Sequence, residues 1–463
     1  MFKLHRCGGR QRSRAFTSTV WQRGAHLLGA AGIIAGTLVC FADRLSAQPD
    51  QRSRDSLRLT ISMARRQALV ASLELRIARF DTAIARGGLR QAGAFRFNPV
   101  ADALLGAGGT SAEIGVSQEV ELFGQRGIRI SSAESGLMRA RGDVANHARL
   151  TIGEVDRTFF RLTSANRRAE LTQEILELTQ RLASIAERQL AAGEISRLEY
   201  NLALVELGRS RARTLAAKRQ RDETAAGFAL LLGLGRNVVV IPVLDSAQHL
   251  PAGPAATETG ADTRILVENA ARLNPDSLIA LALRNRGDLK ARDAEVQQAQ
   301  AEVSLVRREA LPNLVARGVT ERGDNGRQVI RPGIGITLPV FNRNQGAADA
   351  RRAAANQAEA SRNAATERAR TEVVVAVGAY RAAAAQIEAL ESTVLAPARQ
   401  NRSLLEIAYR EGKVGLPVLL LIRNQVFDAE LEYWSAWVEE REALANLSEA
   451  TGQNIIDSME GGQ

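Results

Sequence analysis

The sequence contains little cysteine, histidine or aromatic residue, and each shortage excludes a class of protein. It has two cysteines, Cys7 and Cys40, and four histidines among 463 residues. Both cysteines precede residue 48, so the rest of the chain has neither a disulfide framework nor thiolate chemistry. Aromatic residues make up only 4%, whereas alanine and arginine are abundant. This composition favours long helices packed along narrow seams.

Long apolar runs are missing from most of the chain. Outside the N-terminal segment no 18 consecutive residues are apolar, so the sequence predicts no transmembrane helix there. Residues 1–47 differ, because a basic stretch to Arg23 is followed by LLGAAGIIAGTLVCFA and LSAQ, the pattern of a signal peptide cleaved near Ala47. An uncleaved membrane anchor is the alternative. Val39 before Cys40 argues against lipidation, since a lipoprotein signal requires a small residue there.

The basic excess is concentrated in that leader. The net charge is +10, but residues 1–47 hold seven of the 61 Lys and Arg and one of the 51 Asp and Glu. The remainder therefore has 54 basic against 50 acidic residues. These charges are interspersed as on solvated helix faces, without the aromatic residues that single-strand binders use. The composition argues against nucleic-acid binding.

The chain repeats one plan twice. GVSQEVELF from Gly115 matches GIGITLPVF from Gly333, and GEISRLEY from Gly193 matches GKVGLPVL from Gly412. The predicted organisation is a signal peptide (1–47), a first structural repeat (48–232), an inter-repeat equatorial link (233–276), a second repeat (277–452) and a C-terminal tail (453–463).

Each repeat is predicted to begin with an amphipathic helix, over about 56–88 and 277–310, that leads to a strand starting at a proline. An alternating strand follows, and in the second copy one side of it carries Ile334, Ile336, Leu338 and Val340. A very long helix then reaches a glycine turn, from which a second helix returns. From Gly127 to Leu190 this helix would be about 96 Å long at ~1.5 Å per residue.

The long helices carry apolar residues in alternating steps of three and four, as coiled coils do. The four sets are Ile152, Val155, Phe159 and Leu162; Ile175, Leu178, Leu182 and Ile185; Val373, Val377, Tyr380, Ala384 and Ile387; and Phe427, Leu431, Trp434 and Val438. Helices of this length form a rod or a tube and cannot fold back into a globule.

Four strands of roughly ten residues per chain suit an outer membrane, which a tilted strand of about 9–11 residues spans. Four strands cannot close, and open strand edges are not tolerated in lipid, so several chains must share one barrel. The predicted fold class is mainly α with a small β part: a coiled-coil α-helical barrel plus a membrane β-barrel built from two hairpins per chain.

This duplicated plan resembles the TolC-like family of outer-membrane efflux proteins. SQEVELFGQRG (117–127) and VFNRNQG (340–346) are most similar to its heavy-metal cation-efflux (Czc-type) branch. YREGKVGLPVL (409–419) and ALRNRGDLKA (282–291) are further matches.

Two positions of the resemblance concern proline, and this chain departs from the family at one of them and agrees with it at the other. Gly287 stands where the family usually has proline, and we expect this departure to be harmless. Pro397 falls inside the predicted long helix, where proline normally counts against helix, yet the family commonly carries one there.

The resemblance implies an outer-membrane homotrimer whose strand barrel continues into a long periplasmic helical barrel, the base of which opens by twisting of helix pairs. It implies a passive exit duct, with heavy-metal cations as the expected cargo. The implied partners are a periplasmic adaptor and an inner-membrane RND-type transporter. Drug efflux or type I protein secretion by the same fold is the alternative, and a non-membrane coiled-coil scaffold is a further one.

The resemblance also assigns candidate site residues. The adaptor is expected to dock on the helical-hairpin tips at Gly193, Gly412, Val414, Gly415 and Leu416. The first tip departs from the family's docking turn at Ile195-Ser196-Arg197. The strand-to-helix junctions are placed at Phe123, Gly124, Phe341 and Asn342. From their position near the tips, Glu194 and Glu411 are candidate aperture charges that would favour cations, and solvated tip charges are the alternative.

No enzyme, cofactor or metal site is expected. After the leader the chain has His147 and His249, and neither is spaced with other ligands as a coordination shell requires. GAGGT (106–110) lacks a following lysine, so it is not a phosphate-binding loop. A duct must also release its cargo, which argues against tight binding.

Overall fold

The computed structural model describes residues 55–105, 112–235, 238–244, 272–322, 327–338, 340–341, 343–411 and 413–456. The predicted signal peptide, the GAGGT loop, most of the predicted link and the end of the tail lie outside these residues. So do Asn342, Gly412 and His249.

The described part is mainly helical with a small β part, as predicted. The first half contains β1 (Asp55–Leu59), α1 (Ile61–Ala71), α2 (Leu73–Gly93), β2 (Val100–Leu105), β3 (Ala112–Val120), α3 (Gln125–Ala191), α4 (Arg197–Leu231) and β4 (Val238–Pro242). The second half contains α5 (Pro275–Asn285), α6 (Gly287–Glu309), β5 (Leu314–Arg322), β6 (Gln328–Ile336), α7 (Gln345–Ala389), a π-helical segment (Leu390–Leu395), α8 (Ala396–Arg410) and α9 (Leu416–Thr451).

Four strands form one antiparallel sheet in the order β2-β3-β5-β6. The alternating strand ends at Ile336, which pairs with Leu314, so the prediction that Leu338 and Val340 continue it is wrong. The partner strand, β5, cannot continue the pairing beyond that point, because Pro312 has no N–H to donate to the ladder. A single further hydrogen bond, from the Thr337 N–H to the Asn313 carbonyl at 3.3 Å, closes the pairing.

A second, two-stranded sheet was not predicted. β1 pairs in parallel with β4, with Leu57 opposite Val240. β4 lies inside residues 233–276, which were predicted as the inter-repeat equatorial link. This sheet fixes the start of the first half against the end of α4.

The first helix, predicted from about residue 56, begins only at Ile61, because Asp55–Leu59 form β1. The helix predicted at the start of each half is also broken once. Ser72 leaves α1 with an extended backbone (φ −57°, ψ 119°), and its hydroxyl accepts the Leu75 N–H of α2 at 3.2 Å. Arg286 (φ −61°, ψ 126°) separates α5 from α6 in the same way. Its buried guanidinium donates to Asp288 at 2.8 Å and also to Glu372 and the Ala450 carbonyl. Each break is therefore held by a side chain that a helix pattern does not reveal.

The helix around Pro397 continues, with its geometry altered just before the proline. Pro397 lies in the first turn of α8, which continues the helical residues before it, so its missing N–H leaves one carbonyl of the preceding turn without a backbone donor. The preceding six residues are π-helical, and the Ser392 and Thr393 hydroxyls donate to the Glu388 and Ala389 carbonyls. The π-helical turn takes up the change in hydrogen-bond register between α7 and α8.

The main core lies where α3, α4, α7 and α9 pack together. Fully buried members include Val155, Phe159, Leu162, Phe228, Val373, Tyr380, Ile387, Phe427, Trp434, Trp437 and Leu444. The alternating steps of three and four thus identified the packed seams. Six aromatic rings form a chain of edge contacts in this core: Phe228, Phe159, Phe160, Trp437, Trp434 and Tyr433. The sequence has 12 Phe, 3 Trp and 4 Tyr, so about a third of its aromatic rings lie in this one contact chain.

One helical stretch among the described residues, Gln345–Asn401, is long and apolar enough to cross a membrane, since an 18-residue window in it has a mean hydropathy of 1.4. Val373, Val377 and Tyr380 of the predicted seam are almost completely buried in the core, whereas Val374 and Val375 are exposed. Packing in the core therefore accounts for part of its apolarity.

α3 and α6 cross with their backbones in contact at two glycines. A Cβ on Gly142 would lie 2.7 Å from the Ala291 nitrogen, and one on Gly287 would lie 2.7 Å from the Asn146 nitrogen. Both distances are shorter than any side chain tolerates. Gly287 was expected to be a harmless replacement of a family proline, yet it permits this close crossing.

Glu440 is a buried carboxylate, and the attraction of its neighbouring cation does not make up for the cost of removing its charge from water. Its side chain is completely buried, and the nearest described cation is the Arg441 Nε, 3.3 Å from one carboxylate oxygen. Burial raises the pKa of Glu440, and Arg441 offsets this only in part. The native state therefore binds this proton more tightly than the unfolded chain does.

We expect replacement of Glu440 by glutamine to remove part of the pH dependence of stability. In the natural chain the contribution of this group is fully present below the unfolded pKa of about 4.3 and is lost as pH rises through the raised native pKa. The glutamine variant should melt like the natural protein at pH ~4 and at a higher temperature near pH ~7. Melting followed by circular dichroism tests this, with the exposed Glu439→Gln as control. Identical pH profiles for Glu440→Gln and the natural chain would contradict the assignment.

Candidate functional site

The register of the four-stranded sheet sorts its side chains into a charged face and an apolar face. Residues that pair directly share a face, and alternate residues along a strand take opposite faces. All four carboxylates of these strands and two arginines fall on one face: Asp102, Glu113, Glu119, Glu321, Arg317 and Arg331. The opposite face carries Leu105, Ile114, Val116, Val120, Leu314, Ile330, Ile334 and Ile336, with Arg322 at the far end of β5 as its one charged residue. The charged face also includes Val100, Leu104, Val315, Val319 and Val329.

Ion pairs tie the charged face together across the strands. Arg317 lies 3.1 Å from Asp102 and 3.4 Å from Glu113. Arg331 lies 3.0 Å from Glu321. A sheet with one apolar and one charged face suits a wall between lipid and water.

The first strand-to-helix junction is built around Gly124 and Gln125. Gly124 takes the left-handed conformation (φ 74°) directly before α3, a conformation that favours glycine. The buried Gln125 accepts the Phe123 N–H at 2.8 Å and donates to Asn313 at 3.3 Å. The Asn313 amide in turn donates to Glu119 at 2.7 Å. This network joins the charged face of the sheet to the helices.

The second junction uses a different residue for the same turn. Asn344, and no glycine, is left-handed before α7 (φ 58°), as asparagine tolerates. Gln345 accepts the Arg343 N–H at 3.2 Å, as Gln125 does for Phe123. Sequence reasoning named Phe123, Gly124 and Phe341 but missed Gln125 and Gln345. Gln125 follows Phe123 by two residues and Gln345 follows Phe341 by four, so the repeat did not align them; what they share is the first position of a long helix.

The first hairpin tip is a capped turn. Gly193 is left-handed (φ 74°), and the Glu194 N–H donates to the Gln189 carbonyl at 2.8 Å, as in a Schellman motif. Ser196 and Glu199 then form a capping box that starts α4. The Ser196 N–H and hydroxyl lower the pKa of Glu199. This tip is polar and exposed.

The second tip closes in a similar way but presents other side chains. The Lys413 N–H donates to the Ala408 carbonyl at 2.8 Å, and Gly415 starts α9 with an ordinary extended backbone (φ −82°, ψ 166°). Val414 is half-buried and Gly415 is exposed. Glu411 is paired with Lys413 at 2.5 Å, which offsets its charge. Glu194 is exposed.

Leu416 is buried, which corrects the expectation that it offers surface to a partner. Only 5% of its side chain is exposed, because it packs in a tip cluster that joins the two hairpins. The other members of this tip cluster are Leu182, Ala186, Ala203, Leu405, Leu419 and Leu420. A charged residue at 416 would damage the packing of both tips. The accessible part of the second tip is Lys413, Gly415, Pro417 and Val418.

The part of the chain that the structure describes holds no group of three His, Cys, Asp or Glu side chains placed to bind a metal ion. His147 lies half-buried in the middle of α3.

Comparison with known proteins agrees with this architecture. The outer membrane efflux protein family matches residues 64–234 and 278–453. The cobalt-zinc-cadmium resistance protein CzcC of Cupriavidus metallidurans is 24% identical over 335 residues, covering 72% of this chain and 75% of that protein. The CmeC outer membrane channel of Campylobacter jejuni superposes with a TM-score of 0.68 at 15% identity, covering 86% of this chain and 89% of that one.

A crystal structure of CusC superposes with a TM-score of 0.66 at 17% identity, covering 85% of this chain and 92% of that one. These likenesses confirm the fold, and the family is one of outer-membrane channels rather than enzymes. Both halves of the chain fall within the family match. The chain therefore belongs to the outer membrane efflux protein family.

Proposed function

We propose that this chain forms the exit duct of a tripartite pump that expels divalent heavy-metal cations. The observation that carries the duct is the sheet with one charged and one apolar face, which runs through two capped junctions into long helical hairpins. The likeness to a cobalt-zinc-cadmium resistance protein supports the cargo. The inner-membrane RND-type transporter supplies energy, and a periplasmic adaptor joins it to the duct.

The duct is a homotrimer in this proposal, as the resemblance to the family implies, and the two flanks of each protomer differ at every level, as a ring requires. The sheet ends in β2 on one side and β6 on the other. Among the helices, α2 packs on α3, α3 on α6 and α6 on α7; nearer the tips α4 packs on α3, α3 on α9 and α9 on α8. A first-half element thus forms one flank and a second-half element the other. Unlike flanks join head to tail and close into a ring.

Apolar side chains exposed on α2 support this ring. Leu73, Ile77, Phe80 and Ile84 form a stripe opposite the face that packs on α3, and each is more than 60% exposed in the protomer. A stripe with this heptad spacing needs a partner helix. Leu198, Leu202 and Val205 on α4 and Leu404 and Ile407 on α8 are exposed on the flanks nearer the tips. The repeats 48–232 and 277–452 supply these unlike flanks in the proposal.

We expect Phe80→Glu to weaken the trimer strongly while the protomer still folds. The ring is 65% exposed in the protomer, so its loss removes little packing there, whereas a carboxylate in an apolar interface is desolvated without a partner. Light scattering of the detergent-solubilised protein should show monomer at concentrations where the natural chain is trimeric. Arg86→Glu, on the same helix but off the stripe, is the control. A trimer of unchanged stability would argue against this flank.

The hairpin tips dock the adaptor in this proposal. The tip cluster holds both tips together, so they act as one platform. The exposed residues of the second tip, with Val414 at its edge, offer a surface on which the two charges, Glu411 and Lys413, are paired with each other. The first tip, with Gly193 and the Ser196–Glu199 box, contributes a polar edge.

Cargo is tested in cells that contain the matching adaptor and transporter. We expect deletion of this chain to lower tolerance of zinc, cobalt and cadmium and to raise periplasmic metal, while tolerance of antibiotics and secretion of proteins stay unchanged. Re-expression of the natural chain is the control. Loss of antibiotic tolerance alone would identify a drug duct, and loss of a secreted protein alone would identify a type I secretion duct.

A further inference from the structure

Helix α4 carries a cluster of cations for which the described chain supplies few carboxylates. Between Glu206 and Asp222 its sequence has no acidic residue and six basic ones: Arg209, Arg211, Arg213, Lys218, Arg219 and Arg221. Arg219 is paired with Glu223 at 2.9 Å, and Arg221 with the adjacent aspartate at 2.7 Å. None of the other four has a carboxylate within ion-pair distance among the residues that the structure describes. We call these four residues the basic patch.

Contacts within the protomer leave the basic patch available. Arg209 and Arg211 are exposed, and neither makes a hydrogen bond or a ring contact with a described residue. Arg213 lies over the Phe427 ring, 5.7 Å from its centre, and is also exposed. Lys218 donates to a glutamine side chain of α3 at 2.9 Å. All four charges therefore remain available to an anion from outside the protomer.

The basic patch borders both sides of the buried face of α4. Arg209 and Arg213, four residues apart, lie along one side of that face. Arg211 and Lys218, seven residues apart, lie along the other. The face itself packs on α3 through Ala203, Glu206, Ser210, Thr214 and Ala217. Cations therefore face solvent along both edges of α4 for about two to three turns.

Several exposed arginines elsewhere in the chain have a carboxylate close by. Arg352 of α7 lies 2.6 Å from Asp349, and Arg292 of α6 lies 2.6 Å from Glu295. The basic patch differs, because residues one helical turn apart in it have the same charge, an arrangement that costs stability. Such an arrangement fits an anionic partner that the protomer does not itself contain.

Neither the neighbouring protomer nor the adaptor platform supplies this negative charge in the proposed duct. The neighbouring flank is α8, whose sequence has three arginines and one glutamate. The hairpin tips are also distant, since Arg209 lies about 20 Å along α4 from Arg197, its first residue, at ~1.5 Å per residue. The partner therefore approaches the helical barrel from the periplasm.

The level of the basic patch in the fold indicates which anion it meets. The Thr214 hydroxyl donates to the Thr172 carbonyl at 2.9 Å, and Thr172 lies about 70 Å along α3 from Gln125, beside the sheet, at ~1.5 Å per residue. An outer-membrane channel whose helices extend this far into the periplasm passes through the peptidoglycan layer. The peptide chains of that polymer carry free carboxylates, and the trimer presents one basic patch per protomer to them.

The chemistry of the two surfaces matches. A guanidinium and a carboxylate can join through two parallel hydrogen bonds. One exposed ion pair contributes little by itself, whereas linked carboxylates that contact several patches of one trimer bind together and gain from multivalency. Such binding is expected to weaken as salt screens the charges.

We propose that the basic patch binds the peptide carboxylates of peptidoglycan and holds the duct at a fixed level in the cell wall. The proposal rests on the trimer and the outer-membrane location of the proposed function. It does not depend on which cargo the duct conducts.

Cosedimentation of the detergent-solubilised trimer with purified peptidoglycan sacculi tests the proposal. We expect the natural chain to sediment with the sacculi at low salt and to be released at ~1 M salt, where the screening length is about 3 Å. The double change Arg209→Gln, Arg211→Gln removes two exposed arginines that make no contact in the protomer. An exposed ion pair contributes roughly twofold to affinity, so the loss of two from each protomer should weaken binding by about tenfold or more.

Two controls identify the charges involved. The double change Arg352→Gln, Arg370→Gln alters net charge equally but removes arginines of α7 that lie 2.6 Å from Asp349 and 3.5 Å from Glu367. This variant should sediment like the natural chain. Sacculi whose carboxylates have been converted to amides should not bind the natural chain, because the proposed ligand is then absent.

Four results would overturn the proposal. They are equal sedimentation of the Arg209→Gln, Arg211→Gln variant and the natural chain, retention of the natural chain on amidated sacculi, loss of the trimer in that variant, and loss of adaptor crosslinking with unchanged binding to sacculi. The third would assign the patch to the contact between protomers and the fourth to the adaptor. Light scattering measures the trimer separately, so a natural trimer that ignores the sacculi refutes the cell-wall contact and leaves the duct standing.

Discussion

Replacing Asp156 by alanine is expected to destabilise the chain by about 3–5 kcal/mol, because it removes a carboxylate that is paired with a buried guanidinium. Asp156 on α3 is 1% exposed and holds Arg65 of α1 in a two-pronged pair, Oδ1 to Nε at 2.6 Å and Oδ2 to Nη2 at 2.9 Å. The midpoint of guanidinium denaturation, followed by tryptophan fluorescence, measures the loss.

An exposed pair provides the control for Asp156. Arg219 and Glu223 lie 2.9 Å apart on α4 with 70% and 55% of their side chains exposed, so Glu223→Ala is expected to cost less than about 1 kcal/mol. The double change Arg65→Met, Asp156→Leu should recover most of the stability, since an apolar pair avoids desolvation. Similar losses for Asp156→Ala and Glu223→Ala would contradict the importance of burial.

Gly415→Arg is expected to reduce metal tolerance to that of cells lacking this chain, while the trimer stays intact. The backbone at Gly415 suits any residue, and an added Cβ would meet only the Pro417 ring, at 3.6 Å. The arginine therefore projects from the second tip without disturbing the tip cluster, and it obstructs the surface proposed for the adaptor. Tolerance of zinc and crosslinking to the adaptor measure the effect.

Two matched variants interpret the Gly415 result. Gly415→Ala should keep full tolerance, because the small side chain fits. Gly208→Arg, on α4 where an added Cβ meets no atom, should also keep it if position at the tip is what matters. Full tolerance with Gly415→Arg would remove the second tip from the docking surface. Leu416 cannot serve this purpose, because a charge there would disrupt packing.

The sequence predicts those features that a local pattern determines. The spacing of Val373, Val377 and Tyr380 identifies a helix face regardless of what covers it, and all three are buried. Gly193 is left-handed, as a glycine between two long helices is expected to be. The doubled strand motif identified the hairpins because alternation has only one structural interpretation at that length.

The missed features depend on contacts between distant residues. β1 has five residues and pairs with β4, whose first residue Val238 lies opposite Asp55, so neither strand is visible alone. The breaks at Ser72 and Arg286 interrupt a continuous apolar pattern, and only side-chain partners hold them. The burial of Leu416 arises where two hairpins meet. Local sequence patterns contain no information about these contacts between distant residues.

The crossing of Gly142 and Gly287 limits how this chain can change by mutation. Any larger residue at either site meets backbone of the other helix, and the site opposite is already glycine, so no single compensating substitution can restore the space. Relatives with proline at the second position must hold these helices farther apart. Moving between the two arrangements requires a coordinated shift of α3 and α6 along their lengths. Gly142 and Gly287 are therefore expected to be retained together or replaced together.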